Sequence, residues 1–261
     1  MWLTGNGRSE KKSISSFAGV AQLVEHHLAK VDVEGSNPFA RSIFPLKASE
    51  LFVFPETLPF AKDFLPDSTP WEWVSRIEGA LQEFAFIGGK LASEIPNGFE
   101  VGPMVFMHPT VKLPSHGCIL GPAYIGENCE IRPGAFLRKN IIVGKNCVLG
   151  NACEYKNSLL LNDVQTPHFN YVGDSVLGNR AHLGAGTVLA NLRFDQGEVQ
   201  VSTDKGKEES GLRKLGGLLG DDTEIGCNTT LMPGTILERK TKVGPALSFS
   251  GRLESGKNYL R

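Results

Sequence analysis

A six-residue period constrains this chain more than any other feature. Large or branched apolar residues stand at Leu113, Ile119, Ile125, Ile131, Leu137, Val143, Leu149, Tyr155 and Leu161. The period resumes at Tyr171, Leu177, Leu183 and Leu189, and again from Leu219 through Ile225, Leu231, Leu237 and Val243 to Phe249. A small residue lies two places before most of these, as at Ala123, Cys129, Ala135, Cys147, Ser175, Ala181, Thr187 and Thr229, and glycine often follows directly, as at Gly126, Gly144, Gly184 and Gly226. An aliphatic residue stacked inside each corner, with a small residue where the chain turns, describes an all-β parallel β-helix built from hexapeptide repeats. Cys129, Cys147 and Cys153 fall at small-residue positions and are expected to be inert core thiols.

Two interruptions break the period. From Leu161 to Tyr171 the step is ten residues, which predicts a short loop or skewed corner. The polar stretch 193–214, with its alternating "EVQVST", predicts an extruded β-hairpin. Upstream, "PWEWVSRIEGALQEF" predicts a short N-terminal helix over 70–84. Thr69 and Glu72 would form a capping box, Pro70 suits the first helical position, and Trp71, Val74, Ile77 and Leu81 share one face. That face is expected to cover the first coils or the open end of the solenoid. The predicted organisation is a lead-in over 43–100, a β-helix over 101–251 and a C-terminal tail over 252–261.

Composition narrows the function classes. A net charge of -1 on 261 residues gives no basic field for nucleic acid or anionic membrane. No apolar run approaches the roughly 18 residues of a membrane span, and nothing reads as a signal peptide, so a cytoplasmic protein is expected. Five cysteines without a CxxC pair predict neither a disulfide frame nor a zinc site.

Residues 17–42, "FAGVAQLVEHHLAKVDVEGSNPFARS", resemble a conceptual translation of a transfer RNA gene. One permitted codon choice yields an acceptor stem, a D arm, an anticodon arm and a T arm in order, as in a glycine transfer RNA. Residues 1–42 are therefore expected to be a spurious translation that contributes no structure, with the true start between 43 and 68. Mass spectrometry of the native protein tests this, since peptides from 17–42 would refute it.

The segments "IRPGAFL", "EYKNS", "PHFNYVGDSVLG", "HLGAGTVLANLRFD" and "LRKLGGLLGDDTEIGCNTTLMPGT" together resemble a known family. It is the acetyltransferase half of bifunctional glucosamine-1-phosphate acetyltransferase/N-acetylglucosamine-1-phosphate uridylyltransferase, in particular the archaeal-type sugar-1-phosphate nucleotidylyltransferase/acetyltransferases. The resemblance covers roughly residues 105–250 and is most specific from Glu154 to Asn191. It implies a left-handed parallel β-helix, assembly as a homotrimer, and CoA-dependent N-acetylation of an amino-sugar 1-phosphate for UDP-N-acetylglucosamine-type nucleotide-sugar synthesis. Acetyl-CoA would be the acyl donor, with no metal. No Gly-rich pyrophosphorylase loop is present, so only the acyl-transfer half is expected. A non-catalytic sugar-phosphate-binding subunit of a separate nucleotidyltransferase, or a longer acyl donor, are the alternative readings.

Acetyl transfer to a sugar amine needs a base, donors for the tetrahedral oxyanion and cations for the phosphate. His168 suits the base because imidazole titrates near neutral pH. By the resemblance, the Ala185 N–H serves the oxyanion, and Asn191 fixes the base or the substrate amide. Arg132, Lys156, Tyr171 and Lys214 hold the sugar phosphate by the same resemblance. His182 stands where the uridylyltransferase-type enzymes carry asparagine, and is either a second polar contact to donor or sugar or an exposed ring. Gly197 and Gln200 replace hairpin lysines of the archaeal-type enzymes, which bears on which amino sugar is taken. A three-histidine zinc site from His116, His168 and His182 is disfavoured by their spacing.

Overall fold

The structure is a computed structural model that describes residues 45–86 and 95–260; the reading of residues 1–42 as a spurious translation lies outside them. Strands of two to four residues stack in parallel into three faces, A, B and C, which the chain visits in that order along each coil. Face A runs from Gly98–Val101 to Ser248–Phe249, face B from Val105–Met107 to Arg252–Leu253, and face C from Glu130–Ile131 to Asn258–Tyr259. The expected parallel β-helix is therefore present. It also runs further than expected, because Arg252–Leu253 and Asn258–Tyr259 pair onto faces B and C and turn the predicted tail into a last partial coil.

The corners explain the repeat. The small residues two places before each inward aliphatic, such as Cys129, Ala135, Ala181 and Thr229, are wholly buried. The residue before each of them is left-handed. Asn128, Asn146 and Asn228 have φ of 56, 58 and 56°, a conformation asparagine tolerates better than most side chains. Cys147 and Cys153 are buried as expected, and burial pushes both thiols up.

The ten-residue step is not a loop. Ile125 pairs with Val143, 18 residues on, but Val143 pairs with Leu160 and Leu160 with Leu177, each only 17 on. Two successive coils are one residue short, both at the corner between faces A and B. Leu160, not Leu161, is therefore the inward residue; Leu161 packs outside against the lead-in segment. Likewise Val172 is inward and Tyr171 is turned out, half-buried. The missing inward position is Thr166, which is polar yet fully buried. Its hydroxyl donates to the Val148 carbonyl (2.9 Å) and accepts from the Tyr155 hydroxyl (2.6 Å), which in turn accepts from the Gly150 N–H (3.1 Å). These hydrogen bonds satisfy the Thr166 and Tyr155 hydroxyls inside the solenoid.

The helix forms as Pro70–Glu83 and buries Trp71, Trp73, Val74, Ile77 and Leu81. Its capping box does not form: Glu72 points to solvent, and the Thr69 Oγ1 is buried with no hydrogen-bond partner among the described residues. The helix and the lead-in do reach the first coils, where Phe84 packs on Phe106 and Tyr124 (ring centroids 5.9 and 5.4 Å), but their cover extends well beyond them. They lie along the outside of face B, where Phe60, Trp73 and Ile77 join one cluster with Ile142, Leu159, Val176 and Leu218. Outward apolar residues on face B make this flank sticky along its length, which is why it needs a cover. The lead-in is pinned where faces B and C meet: Asp221 accepts from the Val53 and Asn179 N–H groups (3.1 and 2.8 Å), and the Asn179 amide donates to the Val53 carbonyl (2.8 Å).

The hairpin is present as antiparallel Gln200–Thr203 and Gly206–Glu209. It leaves the coil between faces A and B but is laid back on the solenoid. Val199 and Val201 are buried against Leu215, Leu218 and Ile236, and Arg252 joins the hairpin's Asp204 (3.1 Å) to Glu238.

Candidate functional site

The parallel register places the expected site residues in two columns on opposite edges of face A, with Tyr171 between them. At the corner between faces A and B, Arg138, Lys156, Gly173 and Ala190 occupy equivalent places in successive coils, and Lys139, Asn157, Asp174 and Asn191 the next. Both one-residue shortenings fall here, and the insertion carrying the hairpin leaves and returns here, so Lys214 bridges back to Leu192 beside Asn191.

Asp174 is the hub of this corner. Only 4% exposed, it accepts the Lys156 ammonium at 2.9 and 3.2 Å and the Asn157 amide at 3.0 Å, and it accepts the Asn191 amide in a short hydrogen bond. The same Asn191 nitrogen donates to the Tyr171 hydroxyl at 3.3 Å. Burial lifts the Tyr171 phenol above its ordinary range, while the Asn191 hydrogen bond pulls the other way. Tyr171 reaches Asn191 by folding over Gly173, where an added Cβ would stand 2.6 Å from the tyrosine oxygen and 2.7 Å from the asparagine nitrogen. Lys214 is exposed, and Arg138 pairs with Glu154 on face A at 3.0 Å. Arg138, Lys139, Lys156 and Lys214 outnumber Glu154 and Asp174, so the corner suits an anion.

At the opposite corner, between faces C and A, lie Arg132, His168 and Ala185. Arg132 is held by Glu130 (2.8 Å), three coils from Ala185. Within a single chain it therefore stands apart from Lys156 and Lys214. His168 is exposed, and its carbonyl accepts from the Gly186 N–H at 3.1 Å, so it stacks beneath the "GAGT" turn that contains Ala185. The residue after it, Phe169, takes the left-handed corner conformation at φ 54° and is 60% exposed. Equivalent corners above and below use Ala152 and Gly186, so a bulky aromatic here is an outlier of the kind found at binding sites. His182 is on the flat of face C, exposed between Gln165 and Glu224, and Glu224 pairs with Lys242 at 2.9 Å. It belongs to a solvated ladder and to neither corner.

Sequence reasoning missed Asp174, Asn157, Arg138 and Lys139. Asp174 and Asn157 stand before the small residues Ser175 and Ser158 and read as turn formers. Arg138 carried a usable signal, since it precedes Lys156 by one full coil. A cavity of about 730 Å³ adjoins Asn191, lined by Leu192, Phe194, Val199 and Met232, with Gln200 and Lys207 from the hairpin.

Residues 119–242 match the family model described as the GMPPB C-terminal domain. A bifunctional sugar-1-phosphate nucleotidylyltransferase/acetyltransferase of Sulfurisphaera tokodaii is 32% identical over 67% of this chain and 43% of its own length. The bifunctional protein GlmU of Methanococcus maripaludis is 38% identical over 43% of this chain and 27% of its own. An uncharacterized acetyltransferase, YaiX of Escherichia coli, is 34% identical over 56% and 64% respectively. The chain thus spans less than half the length of the two bifunctional relatives. Along its β-solenoid, this chain is a homologue of the GlmU-type bifunctional sugar-1-phosphate nucleotidylyltransferase/acetyltransferases.

Proposed function

We propose that the protein transfers an acetyl group from acetyl-CoA to the amine of an amino-sugar 1-phosphate. The observation that carries this reading is a histidine on one edge of face A and an anion-suited polar corner on the other, within a segment shared with acetyltransferase relatives. His168 takes the ammonium proton, and the freed amine attacks the thioester carbonyl. The Ala185 N–H steadies the resulting oxyanion, and CoA leaves as its thiol. Lys214 and Tyr171 hold the phosphate end, Lys156 supports them through its ion pair with Asp174, and Arg132 is supplied from the other corner. About six residues of extended strand, at about 3.3 Å each, separate the two corners of one chain. A homotrimer brings the His168 edge of one copy to the Asp174 edge of the next, and Arg132 then joins the cations.

Thiol release from acetyl-CoA with a panel of amino-sugar 1-phosphates tests the reading. Turnover that His168→Asn reduces by about two orders of magnitude or more is the expected result. Binding without turnover at any pH would instead favour a sugar-phosphate-binding subunit. The apolar lining of the cavity beside Asn191 favours one variant of the reading, a longer acyl donor, which acyl-CoA thioesters of increasing chain length test directly.

A further inference from the structure

Asn191 has one amide group and faces a carboxylate and a phenol, and elementary hydrogen-bond chemistry decides how it must sit. An ionised carboxylate only accepts, so the edge of Asn191 turned to Asp174 has to be its NH2. That nitrogen is then committed to Asp174 and to the Tyr171 oxygen, which leaves the Asn191 carbonyl oxygen as the group offered outward. Tyr171 accepts from Asn191, so its own proton is left to donate. Asp174 is saturated by Lys156, Asn157 and Asn191 and almost fully buried, so it does not itself meet a ligand. The Lys156 ammonium is likewise held against that carboxylate, its side chain only 15% exposed.

We infer that Asp174 is a positioning residue that sets the hydrogen-bonding polarity of this corner, so that Asn191 accepts from the bound ligand and Tyr171 donates to it. The ligand must therefore bring a donor, such as an ammonium or a hydroxyl, to Asn191, and an acceptor, such as a phosphate oxygen, to Tyr171. A sugar phosphate with an amine or hydroxyl beside the anion meets both demands; an anion with acceptors alone meets only one. Lys156 acts chiefly by keeping Asp174 ionised, and the exposed Lys214, which bridges back beside Asn191, is the cation that reaches the anion. Assigning the ligand rests on the corner being the sugar-phosphate end of an acyl-transfer site, whereas the polarity itself does not.

The experiment separates the two. Ring-labelled tyrosine followed by NMR across a pH titration reports on Tyr171 without any substrate. Asp174→Asn frees the Asn191 amide to turn, so the Tyr171 phenol loses its donor and titrates higher than in the wild type; loss of the Asp174 charge, the smaller influence, offsets only part of this rise. In the acetylation assay, the same variant raises KM for the amino-sugar phosphate by about tenfold or more while KM for acetyl-CoA stays within about twofold. An unchanged Tyr171 titration in a folded Asp174→Asn protein overturns the inference. So does an unchanged acceptor KM in a protein whose wild type is active. If the wild type acetylates nothing, the acyl-transfer reading fails and the titration alone judges the polarity. Should Asp174→Asn not fold, Asn191→Asp serves instead. Two facing carboxylates should lose amino-sugar phosphate binding at neutral pH and regain it in acid, where they share a proton. Binding that is lost equally at both pH values, or kept at both, overturns the inference.

Discussion

Three residues show how much a single group decides in so regular a fold. Tyr155 is the one inward hydroxyl donor to Thr166, and Tyr155→Phe leaves the Gly150 N–H without its acceptor inside the solenoid. The expected loss is about 1–3 kcal/mol in chemical denaturation, with no change at Tyr171, which lies on the adjacent strand but faces outward. Gly173→Ala should behave in the opposite way. The added methyl meets only the ends of two movable side chains, so stability changes little while the Tyr171–Asn191 hydrogen bond breaks. Activity against an amino-sugar phosphate should fall by about tenfold with the melting temperature nearly constant. Asp221 supplies a pH prediction. Burial raises its carboxyl above the ordinary range despite hydrogen bonds from Asn179 and Val53. A carboxyl raised in the folded state contributes its stability in acid and loses it as pH rises through the folded value. Thermal melts between about pH 4 and 7 should therefore show the wild type losing stability relative to Asp221→Asn as pH rises.

At the level of elements, the lead-in helix and the hairpin do the same job from the two ends of the chain. Both lie on face B, whose outward Ile142, Leu159, Val176, Leu218 and Ile236 would otherwise form a long apolar stripe. Trp73 anchors the first cover by stacking on Phe52 (ring centroids 5.0 Å) and donating its indole N–H to the Leu65 carbonyl at 3.0 Å. Trp73→Ala should cost about 3–5 kcal/mol and expose dye-binding surface before the solenoid itself melts. The helix and the hairpin were both legible, one from its 3.6-residue face and the other from its alternation. Where they dock was not, because a hexapeptide pattern shows which residues point inward but gives no partner to those that point out.

For the whole molecule, the two edges of face A carry complementary parts of the proposed chemistry, and assembly decides whether they meet. A mixture of inactive His168→Asn and inactive Asn191→Ala proteins, refolded together, should recover part of the wild-type turnover, because some interfaces then pair an intact His168 edge with an intact Asn191 edge. Sedimentation should give the mass of three chains. Recovery absent in a mixed trimer would place both edges of each site within one copy.

The hexapeptide period determined the solenoid, its buried cysteines and nearly every inward residue, because a coil closes only when small and aliphatic side chains alternate in step. It also showed His168 standing just after a break in the pattern, while it counted Tyr171 among the regular positions. Only the tertiary structure decided that the break is two coils each short by one residue, with Thr166 inward and Tyr171 outward. A polar residue can fill a core position only if partners reach it, and Tyr155, Gly150 and Val148 do so from neighbouring positions in the coils. The same shortening brings Asp174 under Lys156 and Asn191, residues 18 before it and 17 after it, which only the stacking of coils makes neighbours.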